Sequence, residues 1–264
     1  MRVPLPPPPQ RRRRVLYALR ALGMTMTMVV GMTMAAWSPS ALAAGLSVMP
    51  VSLQFAAGET MQGLWLSNTG NREITAQLRH FEWTQHEGDD QLQPTRALAA
   101  SPPLFTLSPG QRQYVRIVRI DRQSRGREGS YRILVDELPD PSLPVRQGLN
   151  FVMRYSIPIF IESADTPPQL QWQRHTAGDT LILSVRNTGA RRAQLSELQL
   201  LDGDGRVVFG KPGLLGYALA HSGRRWTFAL DGALAGTVRD IRIHIDGSPA
   251  RDALSVDPTT APSR

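Results

Sequence analysis

The sequence predicts an all-β chain built as two β-sandwiches, and three observations carry that expectation. First, 22 Gly and 21 Pro among 264 residues, interspersed with Val, Ile, Leu and Thr, favour many short strands joined by turns over long helices. Second, apolar and polar residues alternate along most of the chain, the period-2 signature of half-buried strands. Third, one pattern occurs twice: LWLSNTGNREITAQL over 64–78 and LSVRNTGARRAQLSEL over 183–198 each place a strand, then Asn-Thr-Gly, then a polar pair, then another strand. Asn and Gly both tolerate the left-handed backbone of tight turns, so turn chemistry alone can also produce such an echo. The length leaves room for one or two domains, and 41% hydrophobic with 20% charged residues is a globular composition.

Residues 1–43 hold six arginines (Arg2, Arg11, Arg12, Arg13, Arg14 and Arg20) and no acidic residue, so without them the net charge falls from +8 to +2. The basic start, the apolar stretch over 21–37 and Ala41-Leu42-Ala43 have the layout of a secretory signal peptide, with cleavage expected after Ala43 or Ala44. An uncleaved anchor is the alternative, but the stretch is short and diluted by Thr25, Thr27 and Thr33. No later segment approaches the roughly 18 consecutive apolar residues of a membrane span, so no stable membrane insertion is expected after cleavage. A first domain follows over 44–162, with strands expected over 45–55, 61–67, 74–83, 113–120, 130–138 and 149–161. Residues 163–168 end in Pro167-Pro168 and read as a stiff linker. The second domain, over 169–248, shows shorter β-like runs at 170–172, 180–187, 193–201, 206–209, 224–230 and 240–246, and 249–264 is expected to be a flexible tail.

The residue inventory argues against catalysis. With no Cys there is no disulfide, thiolate metal site or thiol nucleophile. The five histidines (His80, His86, His175, His221 and His244) include no i, i+4 pair of a helical metal motif. Asp202-Gly203-Asp204-Gly205 resembles the start of a calcium loop, but Arg206 stands at the next ligand position and Gly213 where a bidentate Glu is needed; a hairpin turn is expected instead. No nucleophile elbow or phosphate-binding glycine motif occurs, so no enzyme, metal or cofactor is expected. Arg116, Arg119, Arg122, Arg125 and Arg127 read as a solvated basic face, not a nucleic-acid site.

Five pieces in order carry a resemblance: LSVMPVSLQF; LWLSNTGNREITAQLRHFEWTQ; SPPLFTLSPGQRQYVRI; REGSYRILVDELP; and LNFVMRYSIPIFIES. Together they span about 46–163 and resemble the periplasmic chaperones of the chaperone–usher pathway of pilus assembly, the PapD-like superfamily. FEWTQ, SPPLFTLSPG and RYSIPIF look most like its archaic branch, which serves spore-coat-U-like pili. The resemblance implies two immunoglobulin-like sandwiches at an angle with a cleft between them, a periplasmic location and no hydrolytic chemistry. Its implied partners are pilus subunits lacking a final strand and an outer-membrane usher. It also implies that the chaperone lends the missing strand, by β-augmentation.

The segment 149–154 suits strand donation. Leu149, Phe151 and Met153 share one face of an extended strand and Asn150, Val152 and Arg154 the other, with Val145 on the first parity. The same three apolar residues would equally well fill the domain's own core. In the family two basic residues in the cleft anchor the C-terminal carboxylate of the bound subunit; here those positions correspond to Ser52 and Ser156. Arg154 and Arg116 are then the expected substitutes, assisted by the two serines. Arg127, Glu128, Tyr131 and Glu137 match a family pattern expected to fix the first domain internally. An exported structural or adhesive β-sandwich protein is the alternative. A pilin of that kind would carry an N-terminal donor extension and usually a disulfide, and this chain has no Cys.

Overall fold

The computed structural model describes residues 45–121, 126–139, 152–162 and 166–256. The first sandwich comprises β1 (Leu46–Met49), β2 (Leu53–Phe55), β3 (Met61–Asn68), β4 (Ile74–His86), β5 (Asp89–Pro94), β6 (Leu98–Ser101), β7 (Leu104–Leu107), β8 (Arg112–Arg119), β9 (Gly129–Leu138) and β10 (Arg154–Ile161). One sheet runs β1-β3-β8-β6 and the facing sheet β2-β10-β9-β4-β5, with β7 also on β4. The expected opening strand is therefore two strands. β1 pairs antiparallel with β3, the chain changes sheets past Pro50, and β2 pairs parallel with β10. Leu64, Leu66, Val115 and Ile117 of one sheet and Ala76, Ile133, Val135 and Ile159 of the other close a core. All eight are 0% exposed, so alternation and burial agree strand by strand. β5, β6 and β7 escape the periodicity reading because they are short or wholly exposed; every residue of β5 faces solvent.

The second sandwich comprises β11 (Leu170–Ala177), β12 (Thr180–Asn187), β13 (Ala193–Asp202), β14 (Val207–Ala218), β15 (Gly223–Ala229), a six-residue helix α1 (Gly232–Thr237), β16 (Val238–Ile245), β17 (Ser248–Ala253) and β18 (Ser255–Val256). Its sheets run β15-β12-β11-β18 and β14-β13-β16-β17. Asp231 caps α1 through its side chain, which accepts from Ala233 N and Leu234 N. The Asp202–Arg206 segment is a turn between β13 and β14, as its glycines suggest: Asp202 Oδ1 accepts from Asp204 N and Arg206 N, both at 2.9 Å. The stretch just past Gly247 differs from expectation. β17 pairs with β16 and β18 with β11, because Leu254 is buried in the core and Ser255 Oγ donates to Trp172 O at 2.8 Å. Pro249 is tolerated there because β17 is an edge strand.

The repeated Asn-Thr-Gly pattern is one device used twice. Asn68 ends β3, its Nδ2 donates to Arg72 O and Leu107 O, and its Oδ1 accepts from Gly70 N. Asn187 ends β12, its Nδ2 donates to Arg191 O and Ala218 O, and its Oδ1 accepts from Gly189 N. Both side chains are buried with their donors and acceptors satisfied, which stitches a strand end to the opposite sheet.

Several contacts among the described residues join the sandwiches. Trp83 and Phe160 of the first pack against Tyr217 and Leu219 of the second. Gln85 donates to Tyr217 O and accepts from Leu219 N, and Gly88 O at the β4–β5 turn accepts from Arg225 N. Gly88 has φ of +87°, and a Cβ there would lie 2.7 Å from Arg225 Cβ, so only glycine fits this approach. Finally, Glu128 pairs with Arg192 and also accepts from Arg192 N at 2.9 Å. This corrects the expectation that Glu128 fixes the first domain internally: it lies just before β9, at the end that meets the second sandwich, where Glu128 N donates to Ala190 O.

Candidate functional site

β10 is built from a row of apolar residues that outlasts its own sandwich. Tyr155, Ile157, Ile159 and Ile161 face the core, and the same parity continues to Met153, which is 41% exposed and outside the core cluster. For Met153 the structure thus disfavours core filling. Val145, Leu149 and Phe151, the other residues of the expected row, lie outside the described residues.

The edge of β10 is the second feature. On one side it pairs with β9 along its whole length, Arg154 to Ile161. On the other, β2 covers only Ile159, Phe160 and Ile161. Glu137 N donates to Met153 O at 2.9 Å, which sets the phase of the antiparallel ladder. The odd-numbered residues exchange hydrogen bonds with β9, and the backbone groups of Arg154, Ser156 and Pro158 point the other way. No described strand pairs with those groups. Pro158 has no N–H to offer there, which is why a proline can sit within this strand.

Beside this edge, on the outer face of the sheet, both sandwiches line a cavity of about 360 Å³ that contains Ser52, Ser156 and Arg132. Ser52 and Ser156 both line it. A cation lines it too: Arg132, a β9 residue that the sequence motifs do not single out. Its guanidinium lies 3.7 Å over the Trp83 ring and donates to Ser156 Oγ at 3.1 Å. Burial is the largest influence on it and pulls its pKa below the ordinary arginine value; Asp90 pulls the other way. Asp90 is itself engaged, accepting from Trp83 Nε1 at 3.0 Å and lying 3.4 Å from Arg224. A half-buried guanidinium bonded to a neutral hydroxyl is equipped to bind a carboxylate.

The two expected cations are placed differently. Arg154 lies on the same face as Ser156, but its Nε is paired with Asp136 Oδ1, and Arg79 grips the other oxygen at 2.8 Å. Burial raises the Asp136 pKa, and the hydrogen bonds from Arg154 and Arg79 outweigh it, holding the carboxyl below its ordinary value. Arg116 is on β8, in the other sheet, and points outward from it. It is therefore remote from Arg154, Ser52 and Ser156, a correction to the grouping expected from sequence. Alternation places Arg132 on the same face as Ser130, Leu134 and Asp136 and is readable in the sequence; that this face lines an inter-sandwich cavity is not.

Residues 45–167 match the family described as "Pili and flagellar-assembly chaperone, PapD N-terminal domain". No curated protein sequence matches the chain. Among solved structures, a chain of the CsuC–CsuE chaperone–tip adhesion subunit pre-assembly complex from archaic chaperone–usher Csu pili of Acinetobacter baumannii superposes with a TM-score of 0.64 at 24% identity, covering 81% of this chain and 100% of that one. The CupB2 chaperone of Pseudomonas aeruginosa matches with a TM-score of 0.53 at 18% identity over 79% of this chain and 100% of its own. A chain of the Salmonella enterica SafA pilin–SafB chaperone complex gives 0.55 at 20%, covering 80% and 96%. The fold is thus that of the two-domain, immunoglobulin-like pilus chaperones. The family match is confined to the N-terminal domain, residues 45–167.

Proposed function

We propose that the protein is a periplasmic chaperone that holds pilus subunits lacking a final strand and passes them to an outer-membrane usher. The observation that carries this reading is the open edge of β10 at Arg154–Pro158, next to an apolar row that emerges from the core at Met153. A guest strand laid on that edge gains main-chain hydrogen bonds, and alternate side chains of the chaperone enter the guest's core. Met153, Phe151 and Leu149, with Val145 beyond them, supply that row in our reading. Arg132, with Ser52 and Ser156, receives the C-terminal carboxylate of the guest, whereas Arg154 is occupied by Asp136 and positions the strand. Residues 1–43 act as the cleaved export signal, and the first and second domains meet through the 163–168 linker.

The test uses two forms of one pilin: the natural one, which lacks a final strand, and one with a donor strand fused to it. The chaperone is expected to co-purify with the first in a one-to-one complex and not with the second. Equal capture of both would overturn the reading, because a pilin with a completed sheet has no vacancy for β10 to fill.

A further inference from the structure

The sheet β1-β3-β8-β6, across the core from β10, carries on its outer face an exposed aromatic ridge that neither its own core nor the cleft uses. Its outward face can be written from the register. Met61, Val118 and Ala99 lie side by side, then Gly63, Arg116 and Ser101, then Met49, Trp65 and Tyr114, then Ser47, Ser67 and Arg112. Met49 is 70% exposed, Met61 52%, and Trp65 and Tyr114 42% each. The two rings pack at 5.0 Å, and the Arg112 guanidinium lies 4.5 Å over the indole. Tyr114 lies across Gly63, where a Cβ would fall 2.3 Å from the phenol oxygen; any larger residue there would lift the ring from the sheet.

A cross-strand aromatic pair stabilises a sheet by itself, which explains the ring contact. It does not explain why methionine, tryptophan and tyrosine stand in one uninterrupted row in water, with a guanidinium already stacked on the indole. Trp, Tyr and Arg are the residues that dominate binding hot spots, and a contiguous apolar row with a polar surround marks an interaction surface. The charge fixes the partner's chemistry: the face carries Arg112 and Arg116 and no acidic residue in any of its four rows.

We propose that this face docks an acidic, aromatic-bearing segment of a partner protein, at a site separate from the β10 edge. The partner's apolar side chain lies along Met49, Trp65 and Tyr114, and its flanking carboxylates meet Arg112 and Arg116. The two arginines lie on one strand, four residues apart, so both face the same way, about 13 Å apart. The site does not depend on the chaperone reading, since it shares no residue with the strand edge or the cavity.

The probe is a blocked peptide with one Phe between two pairs of Glu, titrated into the mature protein. It is compared with its Lys-for-Glu counterpart and an Ala-for-Phe version. Amide and indole NMR shifts locate binding, and intrinsic Trp fluorescence follows it. The acidic Phe peptide is expected to perturb the indole of Trp65 and the amides of β3 and β8, and to bind at least tenfold more tightly than either control. Arg112→Gln and Trp65→Ala should each weaken it at least fivefold, with thermal melts recorded alongside; should Trp65→Ala unfold the protein, Arg112→Gln carries the test alone. Equal binding of the acidic and basic peptides, shifts confined to the β10 edge, or a concentration-dependent dimer that protects Trp65 would each overturn the proposal, the last by showing that a second copy covers the face.

Discussion

Arg132 is held where burial works against its charge, and such a group gains more from a carboxylate than an arginine in water does. Arg132→Ala is expected to weaken binding of a peptide copied from the C-terminus of a pilin by about 2–5 kcal/mol, the cost of losing a charge-assisted contact at a desolvated site. Arg154 is 63% exposed at its side chain and already paired, so Arg154→Ala should cost under about 1 kcal/mol in the same calorimetric titration. Amidating the peptide's carboxylate should erase the difference between the two variants. Asp136 supplies a pH test. Its folded pKa lies below the ordinary carboxylate value, so its stabilising contribution is complete above that value and is lost as pH falls through the folded one. Thermal melts between about pH 6 and pH 2 should therefore fall less steeply for Asp136→Asn than for the natural protein. At this scale the sequence is legible by type and not by place. Ser52 and Ser156 line one cavity, while Arg116 does not, because its strand can be read from alternation and its sheet cannot.

Strand β10 combines an apolar row with an unpaired edge, and the two can be damaged separately. Ser156→Pro removes an N–H that faces the open edge and leaves the ladder to β9 intact, as Pro158 already does in the same phase. Capture of a pilin is expected to weaken by at least the roughly 0.5–1.5 kcal/mol of one hydrogen bond, with an unchanged melt of the free chaperone. Met153→Asp acts on the row instead: the side chain is 41% exposed, so folding should survive while a charge enters the guest's apolar groove and capture fails in pull-down. A collapsed melt for either variant would show that the strand serves its own sandwich. Alternation is enough to find this strand and its faces, because one side of it is buried. It cannot find β5, whose residues are all exposed, nor foresee that Pro50 divides the opening strand between two sheets. Which neighbour a strand takes depends on residues far away in the chain, and period-2 patterning is silent about it.

At the scale of the molecule, the pair Glu128–Arg192 ties one sandwich to the other with both partners largely out of water. Arg192→Ala should lower stability by about 3–5 kcal/mol, because it strands a buried carboxylate, and should widen the inter-sandwich arrangement in small-angle scattering. The two-domain plan is legible in the repeated Asn-Thr-Gly turn, since Asn68 and Asn187 make the same bonds in two places. The docking of the domains is not, since it rests on Gln85, Gly88 and Glu128, ordinary residues whose partners come from the second half of the chain. The exposed edge of β10 has one more implication, for the empty protein in a crowded compartment. An unpaired strand beside apolar side chains is also a template for aggregation. Arg154 and Pro158, at the two ends of the vacancy, are the residue types that discourage casual pairing, which leaves Ser156 between them with both its backbone groups on offer. A stray strand that touches briefly gains little; only one long enough to run past both guards and fill the side-chain row holds on, so the gap selects its guest by length before it reads any chemistry.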